Sequence, residues 1–282
     1  MWLGVEWSMD THSAAEVTAL AADLKLHEIE YVFVYTSYLK PAGNFNLTYD
    51  HAAEFVQAIK AAQPNLKILA WIGIPLFFAN INDPAIRQKI AAFSADMVKQ
   101  ASFDGVQLDP EPVGDEDANI PLLLDEVKQA IGPKAMLSLD SRTAWPIFPD
   151  LPWSRWFGPV LWSAHYYQEV AHHVDQLAVM TYDSALNSPF LYKQWSRFEV
   201  IQISKALAGS GVELLFGVPT SEEESPTHHV SAETMDSGLN GIIDGLNDDE
   251  ARSDAVDGVA IYPYWETDAA EWALYDKLWL GR

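Results

Sequence analysis

Residues 103–112 carry the side chains of this sequence that are best suited to acid–base chemistry. The segment contains a short apolar run bounded by turn-forming residues, which predicts a β-strand. Because side chains alternate along a strand, Gln107, Asp109 and Glu111 share one face. Positions two apart are separated by about 6 to 7 Å at the backbone, so one carboxylate is held ionised and its neighbour is driven towards the protonated form. We therefore expect Glu111, nearest the end of the strand, to donate a proton.

The rest of the chain supplies the elements that must position this strand. Short apolar runs rich in β-branched and aromatic residues alternate with segments of helical periodicity. The predicted strands cover residues 2–7, 31–36, 67–74, 105–109, 135–139, 177–182, 213–218 and 258–262. The predicted helices cover residues 13–27, 50–62, 83–101, 116–131, 159–174, 194–208, 231–246 and 269–280.

This alternation predicts an α/β fold with a parallel sheet. Strands that are apolar on both faces, each followed by a helix, require helical cover on the sheet. Eight such units predict a single (β/α)8 TIM barrel domain over residues 1–282. A doubly wound open sheet is the alternative, but residues 4–8 are not the glycine-rich first turn typical of that fold. In a barrel, the loop after the fifth strand, with Trp145, Trp153 and Trp156, would lie on the active-site face.

The charge and aromatic content restrict the partners. The formal net charge is −23, which repels nucleic-acid phosphates and anionic lipid headgroups. We therefore expect no nucleic-acid partner and no membrane partner. A neutral glycan or amino-sugar polymer fits both this charge and the 11 Trp, 11 Tyr and 12 Phe residues, whose rings stack on sugars.

Other signals in the sequence are weaker. There are no cysteines, and no dinucleotide or phosphate-binding motif is found, so we predict no cofactor. The pairs His172-His173 and His228-His229 are expected to be solvated surface, so we predict no metal site. The amino terminus lacks a secretory pattern, which predicts an intracellular protein unless a leader was removed before Met1. We expect a monomer.

Two segments resemble the motifs of a known family. Asp104-Gly-Val-Gln-Leu-Asp-Pro-Glu111 resembles the strand-four signature D-G-x-D-x-D-x-E of glycoside hydrolase family 18, the chitinases and endo-β-N-acetylglucosaminidases. Val179-Met-Thr-Tyr-Asp183 is similar to the strand-six motif M-x-Y-D of that family and lies at the sixth predicted strand. Two motifs at their expected strands are more specific than either one alone. The family's fold is a (β/α)8 barrel, which agrees with the pattern of the whole chain.

The resemblance implies retaining hydrolysis of a β-linked N-acetylhexosamine by a substrate-assisted route. Glu111 would protonate the leaving oxygen and later activate water, while the acetamido carbonyl of the sugar attacks the anomeric carbon. Asp109 would orient the acetamido N–H, and the Tyr182 hydroxyl would bind the acetamido oxygen. Asp183 would contact sugar hydroxyls.

Three positions depart from the family pattern. Gln107 stands where the family has the inner aspartate of strand four, so Asp109 has no titratable partner below it. The strand-three motif S-x-G-G is matched only at its last position, Gly73. The strand-eight tryptophan that forms the floor of the sugar site aligns with Tyr262, or is supplied from nearby by Trp265.

Further residues are candidates for substrate contact. Trp71 belongs to the set of tryptophans that exceeds the needs of a core, and Tyr35 lies at the end of the second predicted strand. Glu6, on the same predicted strand face as Gly4 and Ser8, is expected to be a second buried carboxylate near the site. A paired structural charge is the alternative for Glu6.

Two other functions remain open from the sequence. The absence of the inner aspartate is compatible with a carbohydrate-binding barrel that has no turnover. A conventional retaining glycosidase would use Glu111 as the acid and a carboxylate near the seventh strand, Glu222, as the nucleophile.

Overall fold

The parallel sheet expected from the sequence is present. The structure, a computed structural model, describes residues 1–144 and 161–282, so Trp145, Trp153 and Trp156 lie outside the described residues. The strands are β1 (Trp2–Leu3), β2 (Tyr31–Tyr38), β3 (Lys67–Pro75), β4 (Gly105–Glu111), β5 (Met136–Ser141), β6 (Gln176–Val179), β7 (Glu213–Pro219) and β8 (Gly258–Tyr262). They form one eight-stranded sheet in the order β1 to β8, with parallel pairing. This order, with helices between successive strands, confirms the predicted (β/α)8 fold class.

Local sequence signals set several helix ends. The helices are α1 (Glu6–Met9), α2 (Ala14–Leu26), α3 (Ala52–Ala62), α4 (Pro84–Lys99), α5 (Asn119–Ile131), α6 (Ala164–Ala171), α7 (Pro189–Leu207), α8 (Met235–Leu246) and α9 (Ala269–Tyr275), which a π-helical turn, Asp276–Leu280, continues. Ser13 and Glu16 form the capping box of α2, and the Asp83 carboxylate caps α4. Helix α7 begins earlier than predicted, with Pro189 in its first turn, where a proline costs no hydrogen bond. Among the described residues, no helix is long and apolar enough to cross a membrane.

The chain contains two compact units, of which the first comprises residues 1–112 and 118–139. In this unit β2, β3 and β4 are adjacent, and their residues Phe33, Leu69 and Leu108 are fully buried. Strand β4 begins at Gly105, where a β-carbon would overlap the main chain of Met136 on β5. A glycine at this position therefore allows the two strands to pair, and it places the rest of β4 in register between its neighbours.

The second unit comprises residues 113–117 and 140–282, with β6, β7 and β8 adjacent. Its helices α7 and α8 lie close together because α8 presents glycines to α7. A β-carbon at Gly241 would lie 2.7 Å from Cβ of Ser196, and one at Gly245 would lie 2.7 Å from Cβ of Val200. This packing holds the second half of α8 against α7.

The first predicted strand is shorter than expected, which corrects the placement of Glu6. Strand β1 ends at Leu3, and residues 6–9 form the single helical turn α1. The buried Ser8 hydroxyl holds this turn, because its oxygen lies 2.6 Å from the Tyr35 carbonyl and 2.8 Å from the Thr48 carbonyl. Glu6 therefore does not share a strand face with Gly4 and Ser8. It is half-buried rather than buried, with its carboxylate over Gly4.

Candidate active site

The inner member of the polar row on β4 is Gln107, which is fully buried. Its side-chain oxygen accepts a hydrogen bond from the Trp2 indole at 2.8 Å, and its amide nitrogen donates to the Ser138 hydroxyl at 3.4 Å. Both polar ends of the amide are thus satisfied inside the first unit. Gln107 therefore supports the strand from within, since both ends of its amide are bonded to residues of the same unit.

Asp109 is half-buried and is oriented by an indole. Its Oδ2 accepts a hydrogen bond of 3.0 Å from Nε1 of Trp71, and the Trp71 ring meets the Tyr35 ring edge-on at a centroid distance of 4.8 Å. Burial, followed by the negative charge of Asp109, raises the pKa of Tyr35 to about 12. The phenol is therefore a neutral hydrogen-bond donor at physiological pH. The structure brings Asp109, Trp71 and Tyr35 together.

Glu111 is the last residue of β4, so it shares the strand face of Gln107 and Asp109. It is half-buried, and its carbonyl accepts a hydrogen bond of 2.7 Å from the Leu76 N–H just after β3. Phe77, in the turn that follows β3, is 85% exposed. The sequence interpretation missed Phe77, although an aromatic residue directly after the carboxyl end of a strand was the available signal. Phe77 is thus an exposed aromatic residue one position after Leu76, which is bonded to the main chain of Glu111.

In the second unit, three aromatic side chains form a row in which each ring contacts the next. Tyr182 is buried and stacks on Tyr262 at a centroid distance of 5.0 Å, with 15° between the rings. Trp265, 46% exposed, meets the Tyr262 ring edge-on at 5.9 Å. A pocket of about 160 Å³ adjoins them, lined by Tyr182, Asp183, Pro219, Ser221, Glu223, Ser225, His228 and Tyr262. The structure therefore brings together Tyr182, Tyr262, Trp265 and Asp183.

Gly217 on β7 leaves the space that the Tyr182 ring occupies. A β-carbon at this position would lie 2.8 Å from Cε1 of Tyr182 and 2.9 Å from the Val179 carbonyl oxygen. Neither neighbour can move easily, since one is a buried ring and the other is main chain. Gly217 is thus a second residue that the sequence interpretation missed, and an isolated glycine within a strand was its signal.

The residue after Tyr182 belongs to a charged network. Oδ1 of Asp183 lies 3.3 Å from Nδ1 of His228, and Oε2 of Glu233 lies 3.1 Å from the same nitrogen. His228 is buried, which corrects the expectation that it is solvated surface, and the Glu233 side chain is fully buried. The reason is that Glu233 needs a cation within the protein, and His228 supplies it. No sequence signal pointed to Glu233.

The partners of His228 determine its protonation state. Nδ1 faces two carboxylates, and Nε2 lies 3.1 Å from the Ser221 carbonyl, so each ring nitrogen has acceptors only and donates a proton to them. The hydrogen bonds with Asp183 and Glu233 raise the pKa of His228 to about 10. The ligating atoms of these three residues lie within 4.8 Å of one another. In this structure the three side chains form an ion-pair network.

The remaining candidates lie outside these two clusters. Glu222 is exposed beyond the end of β7, and its N–H donates to the Glu266 carboxylate at 2.8 Å. It lines a separate pocket of about 320 Å³ with Glu233 and Glu271. Burial raises the pKa of Glu271 to about 7. Trp162 is fully buried and packs edge-on against Tyr166 and Tyr167, so this tryptophan belongs to the core.

Gly217→Ala is expected to destabilise the protein and displace the Tyr182 ring. The added methyl overpacks a filled space, which costs about 1 to 3 kcal/mol. Gly258→Ala on β8 is the matched control, because the nearest atom to its β-carbon is Cδ2 of Leu215 at 3.4 Å, an ordinary contact. Urea denaturation of both variants measures the difference. Equal stabilities would contradict the close contact between β7 and Tyr182.

The charge on His228 makes stability depend on pH. The pKa of histidine is about 6.5 in an unfolded chain and about 10 for His228 here. The stabilisation is therefore complete below about pH 6.5 and is lost as the pH rises to about 10. We expect the free energy of unfolding to fall by up to about 1.4 kcal/mol per pH unit in this window, and His228→Gln to flatten the slope.

Urea denaturation between about pH 7.5 and 9.5 measures this slope, since that range lies above the pKa of Glu271. Identical slopes for the parent protein and His228→Gln would show that His228 is not an imidazolium in the folded state.

Comparison with known proteins places these observations in a family. The model described as Glycosyl hydrolases family 18 matches residues 6–277. No match was found among curated proteins. Among solved structures, the chitinase from Chromobacterium violaceum is similar with a TM-score of 0.66 and 11% identity, over 100% of this chain and 98% of that chain.

Two further solved structures are similar to the chain. The Bacillus cereus spore cortex-lytic enzyme SleL has a TM-score of 0.62 and 12% identity, over 98% of this chain and 73% of that chain. The class V chitinase from Nicotiana tobaccum in complex with NAG4 has a TM-score of 0.52 and 16% identity, over 78% of this chain. The chain spans 65% of the length of that chitinase. The structural likenesses show the fold, and the family model covers nearly all of the sequence: the chain belongs to glycosyl hydrolases family 18.

Proposed function

We propose that this protein hydrolyses chitin-type glycans, whose sugars are β-linked N-acetylglucosamine. The observation that carries the proposal is the single face of β4 shared by Asp109 and Glu111, in a chain that belongs to this family. Asp109 is held by the Trp71 indole, and Glu111 stands at the strand end. One fixed anion beside one acid is the pair that general acid catalysis with a charged intermediate requires.

The proposed reaction is substrate-assisted and retains the anomeric configuration. Glu111 gives a proton to the glycosidic oxygen as the bond to the anomeric carbon breaks, and the acetamido carbonyl oxygen forms a bond to that carbon. Asp109 accepts the acetamido N–H and faces the positive charge that develops there. Ionised Glu111 then takes a proton from water, which attacks the anomeric carbon and opens the oxazoline ring. In this proposal the Tyr182 hydroxyl binds the acetamido oxygen, and Asp183 contacts sugar hydroxyls.

Substrate contacts outside the reacting centre follow from the aromatic side chains. Tyr262 and Trp265 offer ring faces or edges to a sugar in the second unit, and Phe77 does so in the first. The net charge of −23 favours a neutral glycan over an anionic one. Glu6 and Gln107 are assigned no direct contact, since Gln107 is bonded to Trp2 and Ser138 and Glu6 lies on α1.

Glu111→Gln is expected to lower the rate of cleavage of an N-acetylglucosamine tetramer by about 10²- to 10⁴-fold, because the amide cannot transfer the proton. Chromatography of the products measures the rate, and calorimetry measures binding, which should persist. Glu213→Gln is the control, since Glu213 is also half-buried but begins β7. If the parent binds the tetramer without cleaving it faster than Glu111→Gln, the protein is a carbohydrate-binding barrel.

A thiazoline mimic of the oxazoline intermediate is expected to inhibit the enzyme competitively. The acetamido group forms that ring only in the substrate-assisted route, and the mimic resembles it more closely than the substrate does. A conventional two-carboxylate glycosidase instead forms a covalent glycosyl-enzyme. Mass spectrometry after trapping with a fluorinated glycoside distinguishes the two routes. An adduct on Glu222, with no effect of the thiazoline, would exclude the substrate-assisted route.

A further inference from the structure

The turn that follows β6 has an unusual backbone. Asp183 has a φ of 58° and Ala185 a φ of 59°, in the left-handed region that residues with side chains rarely adopt. Two such residues within three positions require contacts that hold them. One contact is main-chain, since the Ala185 N–H donates to the Thr227 carbonyl at 2.7 Å. Three further hydrogen bonds come from the side chain of Glu233.

The carboxylate of Glu233 binds this turn with both oxygens. Its Oε2 accepts the Asp183 N–H at 2.7 Å. Its Oε1 accepts the Ser184 N–H at 3.0 Å and the Ser184 hydroxyl at 2.8 Å. The side chain is fully buried and lies just before the start of α8. Glu233 thus satisfies the two main-chain donors directly after Tyr182.

A buried carboxylate with these bonds also needs a positive charge. His228 provides one, since Nδ1 contacts Oε2 of Glu233 and Oδ1 of Asp183, and Nε2 is fixed by the Ser221 carbonyl. Further titratable groups of the same unit lie around the pair. Glu222 and Glu271 line a pocket with Glu233. The others are Glu223 on the pocket beside Tyr182, Glu224 with its partner His229, and Tyr192 of α7. Glu224 is exposed, so it contributes less than the two direct partners.

We propose that Glu233 and His228 are positioning residues that fix the turn carrying Tyr182 and Asp183, and that they thereby define how this turn meets the substrate. The pair acts on the substrate through other residues. His228 takes one oxygen of Asp183, whose side chain remains 46% exposed and available to a sugar hydroxyl. The expected effect of the pair on catalysis rests on the proposed function, whereas its effect on the conformation of the turn is independent of that function.

Glu233→Gln tests the first step without any substrate. The amide keeps the shape of the side chain but removes its charge and one acceptor, so the Asp183 and Ser184 N–H groups lose part of their bonding. We expect their hydrogen exchange, followed by NMR, to accelerate about tenfold or more. We also expect the titration of the His228 ring to move to lower pH. Unchanged exchange of both amides, or a parent His228 that titrates near 6.5, would overturn the proposal.

Glu224→Gln is the matched control. Glu224 also contacts a histidine, with Oε1 2.7 Å from Nδ1 of His229, and its Oε2 accepts the Val230 N–H at 2.9 Å rather than an N–H of the turn. We expect it to leave the exchange rates unchanged and to shift the His228 titration less than Glu233→Gln does. Equal effects of the two variants would mean that the loop responds to charge in general, and this too would overturn the proposal.

Kinetics test the second step. With an N-acetylglucosamine tetramer, we expect Glu233→Gln to lower kcat/KM by about tenfold or more, and its activity to fall at a lower pH on the alkaline side than that of the parent. Glu233→Gln with faster exchange but the kcat, KM and pH profile of the parent would overturn the link to the substrate. A parent that neither binds nor cleaves the tetramer would refute the proposed function, while the exchange result would still decide the role of the pair.

Discussion

Strand β4 lies between two other strands and buries most of its length, so each polar side chain on it needs a partner within the protein. Two indoles meet this requirement, because Trp2 donates to Gln107 and Trp71 donates to Asp109. An indole N–H supplies one hydrogen bond and no charge. It therefore fixes the direction of the Asp109 carboxylate without introducing a cation beside it. An arginine in the same place would have oriented the carboxylate and opposed its interaction with a positively charged intermediate.

This requirement also explains part of the tryptophan content. The sequence suggests a surface for sugar stacking, but the described tryptophans divide among several tasks. Trp2 and Trp71 act as hydrogen-bond donors, and Trp162 packs in the core. Trp265 is the one of these four with a largely exposed ring. A count of aromatic residues therefore indicates sugar binding less reliably than the exposure of each ring.

The sequence predicts the elements whose signals are local. Alternation along residues 105–111 places Gln107, Asp109 and Glu111 on one face, and the caps at Ser13 and Asp83 mark helix starts. These features depend on neighbours a few residues away, so a single sequence contains them. The motif resemblance similarly indicated the strand that carries Glu111, whereas Tyr182, predicted at the end of the sixth strand, lies in the turn after β6.

Features that depend on distant partners could not be predicted. Glu6 was expected on a strand, but it lies in a helical turn. The hydrogen bonds between the Ser8 hydroxyl and the carbonyls of Tyr35 and Thr48 hold that turn. His228 was expected on the surface, but its partner Asp183 comes from another part of the chain. In each case a hydrogen bond between residues far apart in sequence outweighs the local pattern. Neither the periodicity nor the spacing of residues in the sequence indicates which distant residues form these hydrogen bonds.

Two buried glutamates show how distant partners decide chemistry. Glu199 on α7 is fully buried, and burial raises its pKa well above the usual range, although its Oε2 accepts the Ala144 N–H at 2.6 Å. Burial therefore favours the neutral form of this side chain. Glu233 is equally buried, but His228 lies against it and carries a proton on each ring nitrogen.

The difference between these two side chains comes from the availability of a cation. In a chain with 17 basic and 40 acidic residues, lysine and arginine are scarce. A histidine beside two carboxylates becomes a permanent cation at neutral pH, because both acids favour its protonated form. The short ring also reaches Glu233 without a long aliphatic stem, which would occupy the adjoining pocket. The positive charge of His228 thus stabilises the buried negative charge of Glu233 next to Tyr182 and Asp183. The main-chain N–H groups of that turn can therefore be bound by an ionised carboxylate rather than by a neutral acid.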